Sequence, residues 1–356
     1  MALVWTLATD TSHDPLPISS SSSSSSFHEV AQAFILATPP KVAQNWFPPE
    51  ERVTATSIGA LANQLGVAVS FYLSPLVVQD NPKNVPLLMF VECLIAVVAF
   101  LLILFLFRSE PPSPPSYSAV VESINTSSTV GDMNETDSLI SAQQASPRVM
   151  LRLLLTNTQY VLLTVSMGIT IAMSYSLATL LGQIGDAFSY SSQDAGAFGS
   201  TLTLVGLAGI ILSGYLADRL KTRHKSLILI AMVGVTFSLL WFTLACQPNN
   251  YASLIAACGI YGFFISSILP VIFDLSVELT FPLPELMSSS VLMISAQVFG
   301  IILISIFSAL PSGRAGTMAG LWALFSLQAI LTIVMMKLRV RYRRLEQEAI
   351  REAAHS

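Results

Sequence analysis

Long apolar stretches of the sequence contain several polar side chains, among them Gln64, Glu92 and Gln297. A polar group in hydrocarbon is costly unless it is paired or faces a water-filled cavity. We therefore predict that both glutamines point into a helical bundle, where each could contact a solute or form only an interhelical hydrogen bond. Glu92 could attract a cation or carry a coupling proton, or it could simply snorkel or be neutral beside a polar neighbour.

A second group of candidate residues lies in the segment 214–219 (GYLADR), which further basic residues follow. Gly214 would allow two helices to approach closely, and Asp218 could face the unsatisfied amides of a helix N-terminus. Basic residues would hold the segment at an anionic membrane surface. We predict a conformational gating role for Gly214, Asp218 and Arg219. An ordinary basic loop would explain the charges but not the Gly-x-x-x-Asp-Arg spacing.

Two acidic residues, Asp274 and Glu278, are spaced to share one face of a helix. They could form a gating ion pair with Arg52 or Arg219, or they could lie at a solvated helix end. The sequence contains no nucleophile elbow or phosphate loop, and its three cysteines and four histidines are not at ligand spacing. We therefore predict no enzyme activity, no cofactor and no metal site.

The composition indicates that these residues belong to a membrane protein. Of the 356 residues, 53% are hydrophobic and only 11% are charged, whereas a soluble domain carries about 25% charged residues. The mean hydropathy of +0.66 agrees. A net charge of -4 is too close to neutral to indicate a nucleic-acid partner. Soluble enzymes, nucleic-acid binders and disordered chains are all disfavoured, and the lipid bilayer is the predicted environment.

The elements that must position the candidate residues are transmembrane helices, because a span needs about 20 mostly apolar residues. A shorter run, 27–40, is about half a span and ends in two prolines, which cannot continue a helix. Glycines in the fourth full run favour close helix packing. The sequence predicts eight full spans, at about 54–78, 85–107, 150–173, 194–216, 226–246, 251–273, 287–309 and 316–337.

The basic residues predict how the spans are oriented. All but Lys83 and Arg314 of the 17 lysines and arginines fall on one side of the membrane, and that side is assigned to the cytoplasm. We predict five segments: a disordered serine-rich N-terminus (1–26), a half span and two spans (27–108), a cytoplasmic linker (109–148), a six-helix bundle (149–338) and a basic cytoplasmic tail (339–356).

The linker could also determine location. Residues 135–140 (ETDSLI) resemble an acidic dileucine sorting signal, and residues 117–120 (YSAV) have the spacing of a tyrosine-based endocytic signal. An extended linker could present either one to an adaptor protein. The predicted location is therefore the plasma membrane or an endosomal or lysosomal membrane, and the alternative is a polar linker that no adaptor binds.

The layout of the spans resembles the major-facilitator fold, in which two related six-helix bundles are joined by a long cytoplasmic linker. The segment 214–219 resembles the G-x-L-A-D-R loop of these proteins. The predicted fold class is thus an all-α multi-span membrane protein with an incomplete major-facilitator fold, comprising about eight full transmembrane helices and a half span. The first three spans and part of the fourth would be missing. A protein that naturally has eight spans is the alternative.

Longer stretches resemble one family, the solute carrier 49 or feline leukaemia virus subgroup C receptor-related transporters. Two shorter stretches, 111–116 (PPSPPS) and 342–345 (YRRL), look closest to the branch called major facilitator superfamily domain-containing protein 7. The stretches that carry the family resemblance are 33–41 (AFILATPPK), 45–48 (NWFP), 51–56 (ERVTAT), 62–66 (ANQLG), 274–282 (DLSVELTFP) and 295–300 (SAQVFG).

The resemblance implies a carrier for a small organic solute, either a choline or ethanolamine type of cation or a haem-related compound. It also implies a substrate site, because Gln64, Tyr175 and Gln297 match positions that line the family's cavity. An aromatic face binds a quaternary ammonium by cation–π attraction, and amides orient its hydroxyl end. Tyr175 lies late in its predicted span, so it could instead be an interfacial tyrosine.

Two family features have no counterpart in the sequence: the first-span aromatic of the substrate cage and the first copy of the G-x-L-A-D-R loop. The chain is therefore predicted to be a fragment, a mispredicted gene product or a short isoform. The main functional prediction is an alternating-access carrier. The alternative is a non-transporting family member that binds or regulates a full-length one.

Overall fold

The computed structural model describes residues 52–79, 81–107, 147–220, 223–280, 285–311 and 313–338, together with the single residues 38, 42, 46, 47 and 283. The predicted half span lies almost entirely outside these residues. The predicted linker and tail, with their sorting motifs, lie outside them as well.

The described part of the chain is helical throughout. A short 3-10 turn, Pro82–Asn84, separates the first two α-helices. All of the α-helices except α3 are long and apolar enough to cross a membrane, which confirms the predicted eight spans. The α-helices are α1 (Arg52–Val78), α2 (Val85–Leu106), α3 (Pro147–Thr156), α4 (Thr158–Ala187), α5 (Ser192–Arg219), α6 (His224–Ala245), α7 (Tyr251–Thr280), α8 (Glu285–Ser308) and α9 (Arg314–Met336).

The predicted span 150–173 was wrong in its boundaries because the helix is interrupted at Asn157. The Asn157 side-chain oxygen accepts hydrogen bonds from the backbone N–H groups of Gln159 (3.2 Å) and Tyr160 (3.3 Å), and so caps a new helix. Its amide nitrogen donates to the carbonyl oxygen of Leu279 at 2.9 Å. The span therefore begins at Thr158 and continues to Ala187, and the preceding residues form the separate helix α3.

Helices α4 to α9 form a bundle with a common hydrophobic core. Within it α5 and α6 pack against α7, α4 packs against α8, and α6 and α4 contact α9. Buried residues make up 61% of the apolar window of α4 but only 6% of that of α2. Most of the apolar surface of α2 therefore has no contact with the other described residues.

Small residues determine how closely the helices approach. A Cβ atom on Gly262 would overlap the backbone of Leu202, and one on Gly209 would overlap the carbonyl group of Phe263. These contacts join α5 to α7 and confirm that glycines in the span of α5 serve close packing.

Helix α1 is held against the first quarter of α5. A Cβ atom on Gly196 would lie 2.7 Å from the carbonyl oxygen of Phe71 and 2.8 Å from Cγ of Pro75, and one on Gly199 would overlap the Phe71 ring. Because α1 and α5 run in opposite directions, this contact joins the end of α1 to the start of α5. It lies on the side of the membrane opposite the predicted cytoplasmic face.

A lysine connects α6 to the end of α9. The Lys225 ammonium group donates to the carbonyl oxygens of Met336 (3.1 Å) and Leu338 (2.6 Å). The last carbonyl groups of a helix have no partner within the helix and carry partial negative charge. Lys225 therefore satisfies them and fixes these two helices together at one membrane face.

Candidate functional site

Tyr175 lies near the middle of α4, which corrects the prediction that it lies late in its span. The correction follows from the cap at Asn157, which moves the helix to Thr158–Ala187. The Tyr175 side chain is partly buried and packs against the hydrophobic core of the bundle. An interfacial position, which depended on a span ending near residue 173, does not agree with this placement.

Gln297 lies at the middle of α8, and its side chain is half-buried. The amide nitrogen is inaccessible and has no hydrogen-bond partner among the described residues. Leaving a buried donor unsatisfied costs about 1–3 kcal/mol. In this conformation the Gln297 amide is therefore a buried donor that has no described partner.

Gln64 lies at the middle of α1, and its side chain is also half-buried. Each of the three predicted substrate residues is thus within about three residues of the midpoint of its helix. At a rise of about 1.5 Å per residue, each side chain is within about 5 Å of the midpoint of its own helix.

The structure brings two of these three residues onto neighbouring helices. Tyr175 and Gln297 lie on α4 and α8, which pack against each other, whereas α1, which carries Gln64, packs chiefly against α5. Among the described side chains, no hydrogen bond joins any two of the three. Their role in lining a substrate cavity stays a prediction.

The predicted gating segment 214–219 forms the last part of α5. The Arg219 guanidinium carbon lies 5.2 Å from the centre of the exposed Tyr215 ring, a cation–π geometry. The predicted close helix approach at Gly214 is not present in this structure, since no described atom would come within 4 Å of a Cβ there. The close approaches of α5 occur instead at its other glycines. Asp218 lies in α5, but its side chain is outside the described part.

Two other predicted gating residues lie near the end of α7. Asp274 is exposed and Glu278 is buried, and neither side chain is free of interactions. The side chain of Arg52, the first residue of α1, is not among those described. The proposed ion pair therefore stays a prediction.

Glu92 lies in the first half of α2, and its side chain is half-buried. One carboxylate oxygen, Oε2, is inaccessible and has no hydrogen-bond partner among the described atoms. A carboxyl group in such a position is a candidate for binding a cation or a proton. The coupling role of Glu92 stays a prediction.

A buried polar cluster, which sequence reasoning did not identify, joins α4, α6 and α9. The hydroxyl group of Thr170 donates to Oε1 of the fully buried Gln328 at 3.2 Å. The Thr332 hydroxyl donates to the Gln328 carbonyl oxygen (2.9 Å) and lies 3.0 Å from the Thr236 hydroxyl. Thr170 lies five residues before Tyr175, so the cluster orients the helix that carries the predicted binding tyrosine. The only sign of this cluster in the sequence was Gln328, a single glutamine within the apolar run of α9.

Comparison with known proteins identifies relatives of this chain. Residues 23–304 match the Major Facilitator Superfamily. The chain is 30% identical over 298 residues to "Choline/ethanolamine transporter flvcr2a" of Danio rerio, covering 82% of this chain and 60% of the relative. It is 31% identical to human "Choline/ethanolamine transporter FLVCR2" (77% and 50%) and 33% identical to Mus musculus "Choline/ethanolamine transporter FLVCR1" (81% and 51%). The chain therefore spans between half and 60% of the length of these relatives.

Solved structures show a similar fold. The Major Facilitator Superfamily transporter FucP in the outward conformation superposes with a TM-score of 0.56 at 12% identity, covering 86% of this chain and 72% of that chain. A bacterial homologue of the human lysosomal transporter Spinster, in an inward-facing conformation, gives a TM-score of 0.50 at 13% identity, with 83% and 72% covered. At these identities the similarity concerns the fold alone.

Proposed function

The chain belongs to the Major Facilitator Superfamily, and from this premise we propose that it is an alternating-access carrier for a small organic cation of the choline or ethanolamine type. Membership confirms the predicted fold class. The relatives confirm the resemblance to the feline leukaemia virus subgroup C receptor-related transporters. The assignment to one branch of that family stays a prediction. The comparisons indicate a membrane transporter.

The names of the relatives favour choline or ethanolamine over a haem-related compound. They do not favour the alternative of a non-transporting regulatory partner. The observation that carries the proposal is that Gln64, Tyr175 and Gln297 each lie near the middle of a membrane-spanning helix. Carriers of this kind bind their substrate near the bilayer midplane, between two halves that rock around it.

The side chains at this depth suit a small cation with a hydroxyl group. The Tyr175 ring offers a π face to an ammonium group. The Gln297 amide nitrogen is inaccessible in this conformation, and it would donate a hydrogen bond to the hydroxyl oxygen once the side chain turns towards the substrate. Both glutamine side chains also offer a carbonyl oxygen as acceptor. None of these three side chains carries a charge. The site would therefore bind the cation weakly enough to release it on the other side of the membrane.

Uptake and binding together test the proposal. Proteoliposomes that contain the full chain should accumulate labelled choline in a saturable manner, and unlabelled ethanolamine should compete. Choline should also stabilise the purified chain against heat, because a ligand present at 100 times its Kd adds about 2.7 kcal/mol to the free energy of unfolding. Uptake equal to that of protein-free liposomes, with no shift in Tm, would contradict the proposal.

A further inference from the structure

Helix α4 is held between α8 and α9 by contacts on two opposite faces. On one face, Gly168 lies directly against the side chains of Ser295 and Phe299 of α8. On the other face, the Thr170 hydroxyl donates to Oε1 of Gln328 of α9 at 3.2 Å. Residues two positions apart in a helix differ by about 200° around its axis. The two contacts together therefore fix the rotation of α4 about its own axis.

The rotation of α4 determines where the Tyr175 ring points. Tyr175 follows Gly168 by seven residues, so the two lie on the same face of the helix, about 10 Å apart along it. The ring of a tyrosine lies about 6 Å from the helix axis, so a rotation of about 20° would move it by about 2 Å. Cation–π attraction requires the cation to lie within about 6 Å of the ring centre. A change of this size would therefore alter how well the ring meets a cation.

The hydrogen bond between Thr170 and Gln328 is better suited to orientation than to stability. Gln328 is fully buried, and its Nε2 atom has no partner among the described residues, which costs free energy. The Thr170 hydroxyl has a second acceptor on its own helix, the Ser166 carbonyl oxygen at 2.9 Å, so it does not need Gln328. An apolar side chain would fill the place of Gln328 without an unsatisfied donor. What the amide adds is direction, because a hydrogen bond restricts distance and angle more than apolar packing does.

A second part of the same buried cluster does not reach α4. The Thr332 hydroxyl, one turn beyond Gln328, lies 3.0 Å from the Thr236 hydroxyl of α6. The Thr236 hydroxyl also lies 2.8 Å from the Met232 carbonyl oxygen of its own helix. These bonds join α9 to α6 only. Thr236 therefore offers a matched control, since it belongs to the cluster but has no hydrogen bond to the helix that carries Tyr175.

We propose that Gln328 is a positioning residue for the bound cation, because it sets the rotation of α4 through Thr170 and thereby the direction of the Tyr175 ring. This role rests on the proposed function, in which Tyr175 contacts the ammonium group of a choline type of cargo. Gln328 acts on the helix and not on the cargo. Its replacement should therefore change affinity only when the Tyr175 ring is present.

The position of Tyr175 can be measured without any substrate. The full chain would be labelled with fluorotyrosine, and the fluorine NMR resonance of Tyr175 would be assigned by its loss in Tyr175→Phe. We expect Gln328→Leu and Thr170→Val to shift this resonance. Thr170→Ser keeps the hydroxyl group and should leave the resonance in place, as should the control Thr236→Val. An unchanged resonance in both Gln328→Leu and Thr170→Val would overturn the proposal, whether or not the chain binds choline.

Choline binding measures the consequence for the site. Gln328→Leu should raise the Kd for choline about 2- to 10-fold, the factor that corresponds to one neutral hydrogen bond. Its Tm without ligand should be unchanged or raised, since the variant leaves the Thr170 hydroxyl bonded to the Ser166 carbonyl oxygen and removes an unsatisfied donor. In a chain that also carries Tyr175→Ala, the same substitution should have no further effect, because residues that act through one another are not additive.

The outcomes separate this proposal from the proposed function. Equal losses of affinity with and without the Tyr175 ring, or a clear fall in the Tm of Gln328→Leu without ligand, would show a merely structural role and overturn the proposal. A loss of choline affinity in Thr236→Val as large as that in Gln328→Leu would do the same. No choline binding by the unmodified chain would contradict the proposed function, while the fluorine resonance would still decide whether Gln328 sets the position of Tyr175.

Discussion

Tyr175 is the residue at which the proposed chemistry is most directly tested. Replacing it with alanine removes a π face that contributes about 0.5–2 kcal/mol to cation binding, so choline affinity should fall about 2- to 30-fold. The Tyr175→Phe variant keeps the ring and should retain most of the affinity. Both values can be measured by ligand-induced shifts in Tm of the purified chain. Equal affinity in the alanine variant and the unmodified chain would remove Tyr175 from the site.

Gln297 should show opposite effects on stability and on binding. Its amide nitrogen is buried without a partner among the described residues, so Gln297→Leu removes an unsatisfied donor and should leave Tm unchanged or raised. The same variant should weaken choline binding, because the amide no longer contacts the hydroxyl group. Thermal unfolding with and without choline measures both effects. A lower Tm without ligand would show that Gln297 is mainly structural.

The buried amide side chains show how much of the candidate site could be predicted from the sequence. An amide in an apolar run predicts an inward-facing side chain because of the cost of burying it, and Gln64 and Gln297 both proved half-buried at mid-span. Gln328 is also an amide within an apolar run, but it was not predicted as a site residue because no family motif surrounds it. Its role depends on Thr170, 158 positions away, and no local pattern predicts that pairing.

At the scale of single elements, Asn157 determines where α4 begins. Asn157→Ala removes the cap and the hydrogen bond to Leu279, so the free energy of unfolding should fall by about 1–2 kcal/mol. Thr156→Ala is a matched control, since the Thr156 hydroxyl donates only to the nearby Leu153 carbonyl oxygen at an exposed position. Thermal or denaturant unfolding in detergent measures the difference. Similar losses in the two variants would contradict the capping role.

The contact between α5 and α7 depends on Gly262. A Cβ atom there would overlap the Leu202 backbone, which cannot move without displacing α5. We therefore expect Gly262→Ala to lower Tm and the yield of folded protein. Gly66→Ala is the control, because no described atom lies within 4 Å of the added Cβ, and alanine is the better helix former by about 1 kcal/mol. A Tm of Gly262→Ala equal to that of the control would show that the two helices can separate at no cost.

The boundaries of α4 were mispredicted because hydropathy and helix signals disagreed. The apolar run that begins at Met150 continues through Leu155, and hydropathy alone joins it to the residues beyond. The segment 156–159 (TNTQ) contains a typical N-cap residue, but four uncharged polar residues lower the mean hydropathy of a long apolar run too little to divide it. The bond from Asn157 to Leu279 lies across the bundle, so only the tertiary structure shows that the break is fixed.

At the scale of the whole molecule, the orientation of the spans predicts which side each connection occupies. The linker 109–148 contains two glycosylation sequons, at Asn125 and Asn134. We expect both to remain unmodified when the chain is inserted into microsomes, because a cytoplasmic linker does not reach the lumen. An engineered sequon beside Lys83, on the opposite side, is the positive control. Glycan addition at either linker site would reverse the assigned orientation.

The tight contact between α1 and α5 has a mechanical consequence. Phe71 and Pro75 lie against Gly196 and Gly199 at one end of α5, whereas Gly214 lies 15 residues, or about 22 Å, farther along the same helix. We therefore expect the two helices to pivot about this contact, so that the far end of α5 moves most. Tilting one helix against the other by about 15°, an angle typical of allosteric rotations, would open or close a gap of about 6 Å beside Gly214. A displacement of that size is comparable to the width of a small solute, although the residues at the contact between α1 and α5 hardly move.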